Sequence, residues 1–159
     1  MSADCHIKIE NIDGESTHKD HKGEIDVIDW NWSVWQPTTV GSGVGGFTKG
    51  QAVAGEFTFT HRYDKGSPVL AKYCVSGGRC GVVLTARLAG DGQKDFLKVT
   101  LKEGMVISLK PSATKGGEII EEVKLAYTDI EYEYKPTDAK GGQGGAVKFG
   151  WDVSSTATR

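Results

Sequence analysis

Apolar residues in this chain recur at every second position in short runs, and that period constrains the fold more than any other feature. Cys5, Ile7 and Ile9 alternate with His6, Lys8 and Glu10. Phe57, Phe59 and Tyr63 share a parity, with His61 in line with them. Val82, Leu84, Ala86 and Leu88 form a further set, and Leu97, Val99 and Leu101 lead into Met105, Ile107 and Leu109, with Gly104 expected as a break. Val123, Leu125 and Tyr127 are followed by Ile130, Tyr132 and Tyr134 in the opposite parity, and Val147, Phe149, Trp151 and Val153 come last. Ile25 and Val27 face one way, whereas Ile28, Trp30, Trp32 and Val34 take the other parity. A switch inside one strand predicts a bulge or sharp bend.

These segments are bounded by turn residues. Ala89-Gly90-Asp91-Gly92-Gln93 reads as a hairpin turn, because Gly and Asp tolerate positive φ. One segment breaks the period. Ser67 is placed to cap a helix, with Pro68 at the first helical position, where its missing N–H costs nothing. Val69, Leu70, Tyr73 and Cys74 then share a face, and Gly77-Gly78 supplies a left-handed stop. The expected fold is mainly β: a closed or nearly closed barrel, or a sandwich of two sheets, with one flanking α-helix over about residues 67–76.

Composition narrows the function classes. The 159 residues suit a single domain spanning 1–159, large enough to hold a core without metal or disulfide staples. Nineteen Lys and Arg against 21 Asp and Glu give a formal charge of −2, which argues against broad electrostatic binding to nucleic acid. The apolar runs are too short for a membrane-spanning helix, and Met1–Lys8 has neither the basic nor the apolar part of a signal peptide. Cys5, Cys74 and Cys80 are expected as reduced thiols.

Three glycine-rich stretches are expected as loops: Gly41–Gly46, Lys115–Gly117 and Gly141–Gly145. The first formally matches GxGxxG. A dinucleotide site needs a helix at its end, and Phe47-Thr48-Lys49-Gly50-Gln51 has no helical pattern, so a strand connection is expected instead. His18, Asp20 and His21 are metal-ligating types, but they sit among lysines in a polar stretch that reads as a solvated loop. His61 is expected to pack against barrel residues. No nucleophile–base set, such as GxSxG, is visible, and Glu131 and Glu133 fall on the polar side of an alternating strand. Neither catalysis, a cofactor nor a metal is expected. Trp30 and Trp32 at even spacing, with Phe57, Phe59 and Trp151, are expected in the barrel core, and Asp29, Asn31 and Ser33 on the opposite, polar face. The alternative reading is a small-ligand or carbohydrate-binding β module that exposes Trp30, Trp32 or Trp151.

An ordered set of motifs then resembles a known family. Gly14-Glu15-Ser16, His21 and Glu24-Ile25-Asp26-Val27-Ile28-Asp29-Trp30-Asn31-Trp32 resemble the N-terminal signature of the haemolysin co-regulated protein (Hcp) family. Asp64–Leu70, Val99–Glu103, Glu122–Leu125, Tyr132–Tyr134 and Lys148–Asp152 are similar to later blocks, in order over essentially the whole chain. Ser33 stands where many relatives have Gly, and Asn31 and Gly104-Met105 also depart from the pattern. The resemblance implies a barrel with one helix, similar to phage tail-tube proteins. It implies a homo-hexameric ring that stacks into the type VI secretion tube and carries effector proteins in its lumen, with a spike protein and a sheath as further partners. It implies assembly in the bacterial cytoplasm and secretion without a signal peptide, with neither nucleic-acid binding nor membrane insertion. On this reading Gly41, Gly43, Gly45, Gly46, Phe47 and Val53 form the ring-stacking loop, and Asp29, Asn31 and Ser33 face the lumen.

Overall fold

Six antiparallel strands close on one another in the computed structural model, which describes residues 3–40, 46–89, 94–137 and 142–159. In barrel order they are β1 (Ala3–Ile9), β2 (Ile25–Asn31), β7 (Phe57–Arg62), β10 (Ile119–Ala126), β9 (Asp95–Ala113) and β8 (Arg79–Leu88), which returns to β1. The expected alternative of two stacked sheets therefore gives way to one sheet closed on itself. Closure removes the exposed strand edges that an open sheet would carry.

β9 makes closure possible. Its first part lies between β8 and β11 (Asp129–Tyr134), and its second part pairs with β10. Gly104 was expected to break this strand; instead the strand runs through it. Glu103 takes φ +49°, and β8 skips from Gly104 to Leu101 as its partners, so the extra residue is absorbed as a bulge. A Cβ on Gly104 would lie 2.9 Å from the Cys80 carbonyl oxygen. A second irregularity opposite Lys124 and Leu125 leaves Ile107 outside the ladder. Hence Val99, Leu101 and Val106 are buried and Ile107 is exposed, rather than the simple odd-numbered run. The parity switch in β2 is likewise a bulge, with Val27 opposite His61 and Asp29 opposite Thr60. Ile28 is the extra residue and is exposed, so it does not join Trp30 inside.

Ile7, Ile9, Ile25, Phe57, Phe59, Leu84, Leu101, Val123, Leu125 and Ile130 fill the core. Each such side chain stabilises the fold by about 1.5–3 kcal/mol relative to exposure. The helix α1 (Ser67–Ser76) covers one side, with Leu70 buried and Val69, Tyr73 and Cys74 packed on the core. Its N-cap is Gly66, not Ser67. Ser67 Oγ instead accepts the Asp64 N–H at 3.1 Å, and Asp64 Oδ1 accepts the Gly66 N–H at 2.9 Å. Gly77 ends the helix at φ +69°. Lys115–Gly117 forms the tight β9–β10 turn, with Gly117 at φ +83° and its N–H bonded to the Thr114 carbonyl.

Two features stand off the barrel. A wing extends the sheet from β9 through β11 to β12 (Val147–Asp152) and β13 (Ala157–Thr158). A hairpin arm between β2 and β7 consists of β3 (Val34–Trp35) with β6 (Val53–Ala54), then β4 (Thr38–Val40) with β5 (Phe47–Lys49).

Candidate assembly surface

Alternation places a polar wall on the outside of β2, β7, β10 and β9. Register sets Asp29, Thr60, Glu122 and Lys110 side by side, and Asn31, Thr58, Lys124 and Ser108 in the next row. All eight are at least partly accessible, because the opposite parity points into the core. Lys124 Nζ lies 3.6 Å from Glu56 Oε2, a solvent-screened pair. Asp29 and Asn31 thus sit together on an exposed face. Ser33 is separate from them: β2 ends at Asn31, and Ser33 lies at the root of the arm, where its carbonyl accepts the Gly55 N–H at 2.7 Å.

Behind the wall, Phe57 and Phe59 are fully buried and Trp151 nearly so. Trp30 and Trp32 are half-buried at the core margin. Trp30 stacks on Phe57 with centroids 5.7 Å apart, and Trp32 lies 5.2 Å from Tyr132. The Trp32 indole N–H donates to the Tyr127 hydroxyl, which donates to the Gly55 carbonyl at 2.7 Å. Burial pushes the Tyr127 hydroxyl pKa up, so it remains a donor. This chain of bonds fixes the arm root.

Beyond its root the arm is a ribbon two strands wide. Gly50 N–H bonds to the Pro37 carbonyl, and β4 and β5 pair only with each other among the described residues. Among its described side chains, the exposed apolar ones are Trp35 at 57%, Val34 at 46% and Val53 at 39%. Val34, expected in line with Trp32, belongs to β3 and faces outward. Trp35 was not singled out in the sequence; its signal is an indole outside the alternating set, two residues before Pro37. Gly46 is exposed and Phe47 begins β5, while Gly41, Gly43 and Gly45 lie outside the described residues.

The wing carries a second exposed apolar set. Tyr132 lies opposite Phe149 and Tyr134 opposite Val147, with Tyr134, Val147 and Phe149 exposed. Arg159 clamps its far end, donating to both carboxylate oxygens of Asp129 at 2.7 and 2.8 Å. β13 pairs β12 only at Trp151 and Asp152.

The chain as a whole is similar to known proteins. The family model described as "Type VI secretion system effector, Hcp" matches residues 6–134. The chain is 36% identical over 157 residues to protein hcp1 of Pseudomonas aeruginosa, covering 96% of each chain. The chain belongs to the Hcp family. A solved structure of a type six secretion system protein superposes with TM-score 0.93 at 28% identity, over 99% of this chain and 100% of that one. Hcp1 of Salmonella typhimurium superposes with TM-score 0.78 at 28% identity over the full length of both.

A second cluster of polar residues lies where the loop between β1 and β2 packs on β1, β8 and β9. The loop between β1 and β2 was expected to be solvated, and His18 and Asp20 fit that partly. His21 does not: it is buried, stacked on His6 with centroids 4.7 Å apart and planes at 8°. Three imidazoles thus meet where the sequence showed no histidine cluster. His21 bonds Glu24 at 2.9 Å and Asp95 at 3.0 Å. Burial disfavours its imidazolium, but the Asp95 and Glu24 carboxylates outweigh that and raise its pKa. Arg87 donates to Asp20 at 3.1 Å and approaches His18 at 3.2 Å, so a guanidinium cation lies against these two residues. No group of three His, Cys, Asp or Glu among the described residues is placed to hold a metal ion. His61 is fully buried and bonded to Glu121 at 2.9 Å.

A groove of about 720 Å³ over β1, β8 and β9 is lined by Lys8, Glu10, Arg79, Lys102 and Glu103, with Cys80 at its floor. Burial raises the Cys80 pKa, and its thiol points to the Gly104 carbonyl, so it is not an activated nucleophile. No helix among the described residues is long and apolar enough to cross a membrane.

Proposed function

We propose that this Hcp-family chain is the subunit of a type VI secretion tube. Six copies close into a ring, rings stack through the arm, and effector proteins travel in a lumen lined by Asp29, Asn31 and their neighbours. The observation that carries this reading is the arm. A two-stranded ribbon is marginally stable alone in water. This one exposes Trp35, Val34 and Val53, so a covering partner would lower its free energy. The polar wall supports the second half: side chains of mixed charge offer unfolded or folded cargo weak, screened contacts. The work is mechanical, with energy supplied by sheath contraction, and no bond is made or broken by this chain.

Deleting Gly43–Gly50 removes β5 but no barrel strand. The expected result is intact hexamers without tubes, seen by electron microscopy. Loss of the barrel fold, or tubes of normal length, would overturn the stacking role. Asn31→Arg should reduce cargo retention in assembled rings, and unchanged retention would remove Asn31 from the lumen.

A further inference from the structure

We propose that the segment from Asp13 to Glu24 is an acid-sensitive strap, held closed by His21 and released when His6 takes up a proton. The proposal goes beyond tube assembly and does not depend on it. The strap runs outside the barrel between β1 and β2. Its internal backbone bonds are Gly14 N–H to Gly23 O, Gly23 N–H to Ser16 O, Ser16 N–H to Glu24 O, and two within His18–Glu24; side chains add His18 N–H to Ser16 Oγ, Asp20 N–H to His18 Nδ1, and His21 Nδ1 with Glu24. Side-chain contacts tie this loop to the rest of the fold, with Thr85 Oγ1 3.5 Å from His21 Nδ1 and Arg87 Nη1 3.2 Å from His18 Nε2. His21 Nε2 reaches Asp95 on β9 at 3.0 Å, and Arg87 on β8 reaches Asp20 at 3.1 Å. At the other end, Glu15 accepts the Lys65 N–H at 2.9 Å.

His6 on β1 lies under this closure. Its ring stacks on His21 and is 5.2 Å from His18. Its Nε2 is 3.2 Å from Asp26 Oδ1, and its Nδ1 is buried with no hydrogen-bond partner. A neutral His6 that donates from Nε2 leaves only an unpaired acceptor there. A protonated His6 places a second N–H where no acceptor exists and a second cation against His21. The exposed Asp26 carboxylate offsets this only through one screened contact.

Other charges face the cluster from every side. The strap supplies His18, Asp20 and Glu24, with Lys19 and Lys22 pointing to solvent. β1 adds Asp4, opposite Arg87 in register; β8 adds Arg87 and the neutral Thr85, whose Oγ1 is 3.5 Å from His21 Nδ1. β9 adds Asp95, with Lys94 just before it. The carboxylates favour His21 as the cation, and nothing comparable serves His6.

Burial, then the nearby His21, lowers the His6 pKa, whereas the balance at His21 is upward. The His6 contribution to closure is therefore fully present above the ordinary histidine pKa of about 6.5 and is lost as pH falls through its lowered value. The His21 contribution is fully present below about 6.5 and is lost as pH rises through its raised value. Closure is strongest between the two.

Hydrogen–deuterium exchange of the whole chain at about pH 7 and about pH 5, corrected for intrinsic exchange, tests this directly. The strap amides of Ser16, His21 and Glu24 should lose protection on going from about pH 7 to about pH 5, by at most about tenfold per pH unit for one proton taken up, while β7 and β10 stay unchanged. His6→Gln cannot take up the proton and should keep the strap protected at about pH 5. Equal strap protection at both pH values, or acid opening in His6→Gln identical to the parent, would overturn the proposal. If His6→Gln fails to fold, NMR titration of the parent decides: strap amide shifts must share the His6 midpoint, and a midpoint matching only carboxylates refutes the strap.

Discussion

Replacing His61 and Glu121, singly and together, tests how the barrel tolerates ionisable groups in its interior. The two residues face each other across β7 and β10, with Nε2 and Oε1 2.9 Å apart and exposures of 0% and 2%. Asp64 Oδ2 is 3.9 Å from the other ring nitrogen, which has no hydrogen-bond partner. Glu121→Leu strands both imidazole nitrogens, and His61→Leu strands a buried carboxylate. Removing one partner of such a pair costs about 3–5 kcal/mol. Replacing both with leucine of similar volume removes the desolvation cost along with the attraction, so the double variant should lie within about 1 kcal/mol of the parent. The coupling is then about 5 kcal/mol or more, well above the few tenths expected of independent sites. Urea unfolding at fixed protomer concentration reads it out: each single variant should shift the midpoint by about 1–3 M at constant slope, and the double variant should return most of the way. A double variant as unstable as the sum of its singles would refute the reasoning, because the pair would then contribute as two separate contacts.

Three further outcomes follow from burial. Leu70→Ala empties the contact of α1 with the barrel and should cost about 2–5 kcal/mol in urea unfolding, with the far-ultraviolet spectrum still β-rich. Gly104→Val drives a side chain toward the Cys80 carbonyl and Val82 Cγ2, 2.9 and 3.1 Å from the new Cβ, and should cost about 1–3 kcal/mol by the same assay. Trp35→Phe should move tryptophan emission to the blue, because Trp35 is the most exposed indole and Trp151 is buried; an unmoved maximum in unassembled protein would mean the arm is covered.

Much of the barrel is legible as period two, because one face of each strand is buried and the other wet. The reading slips at bulges. Lys102-Glu103 and Ile107 each add a residue, so Val106 points inward where the unbroken alternation put Met105 and Ile107. A sequence pattern registers such a slip only when apolar residues crowd both parities, as Val27 and Ile28 do. The helix was legible from Pro68 and Gly77, but its cap was not, since Ser67 serves the preceding turn. The arm appeared as a glycine-rich loop; its four short strands follow from pairing across the chain, which local propensity does not encode. The histidine cluster was hidden for the same reason. His6 meets His18 and His21 only because β1 lies beside β8 and the loop folds back across both.

The measurement that tests the tube reading most directly is the mass of the purified protein in solution, by light scattering coupled to size exclusion across a dilution series. The account predicts a particle of six times the 17.1 kDa chain, about 103 kDa, that persists on dilution. A stable 17.1 kDa monomer at high concentration would contradict it, leaving the Hcp fold in place without the ring.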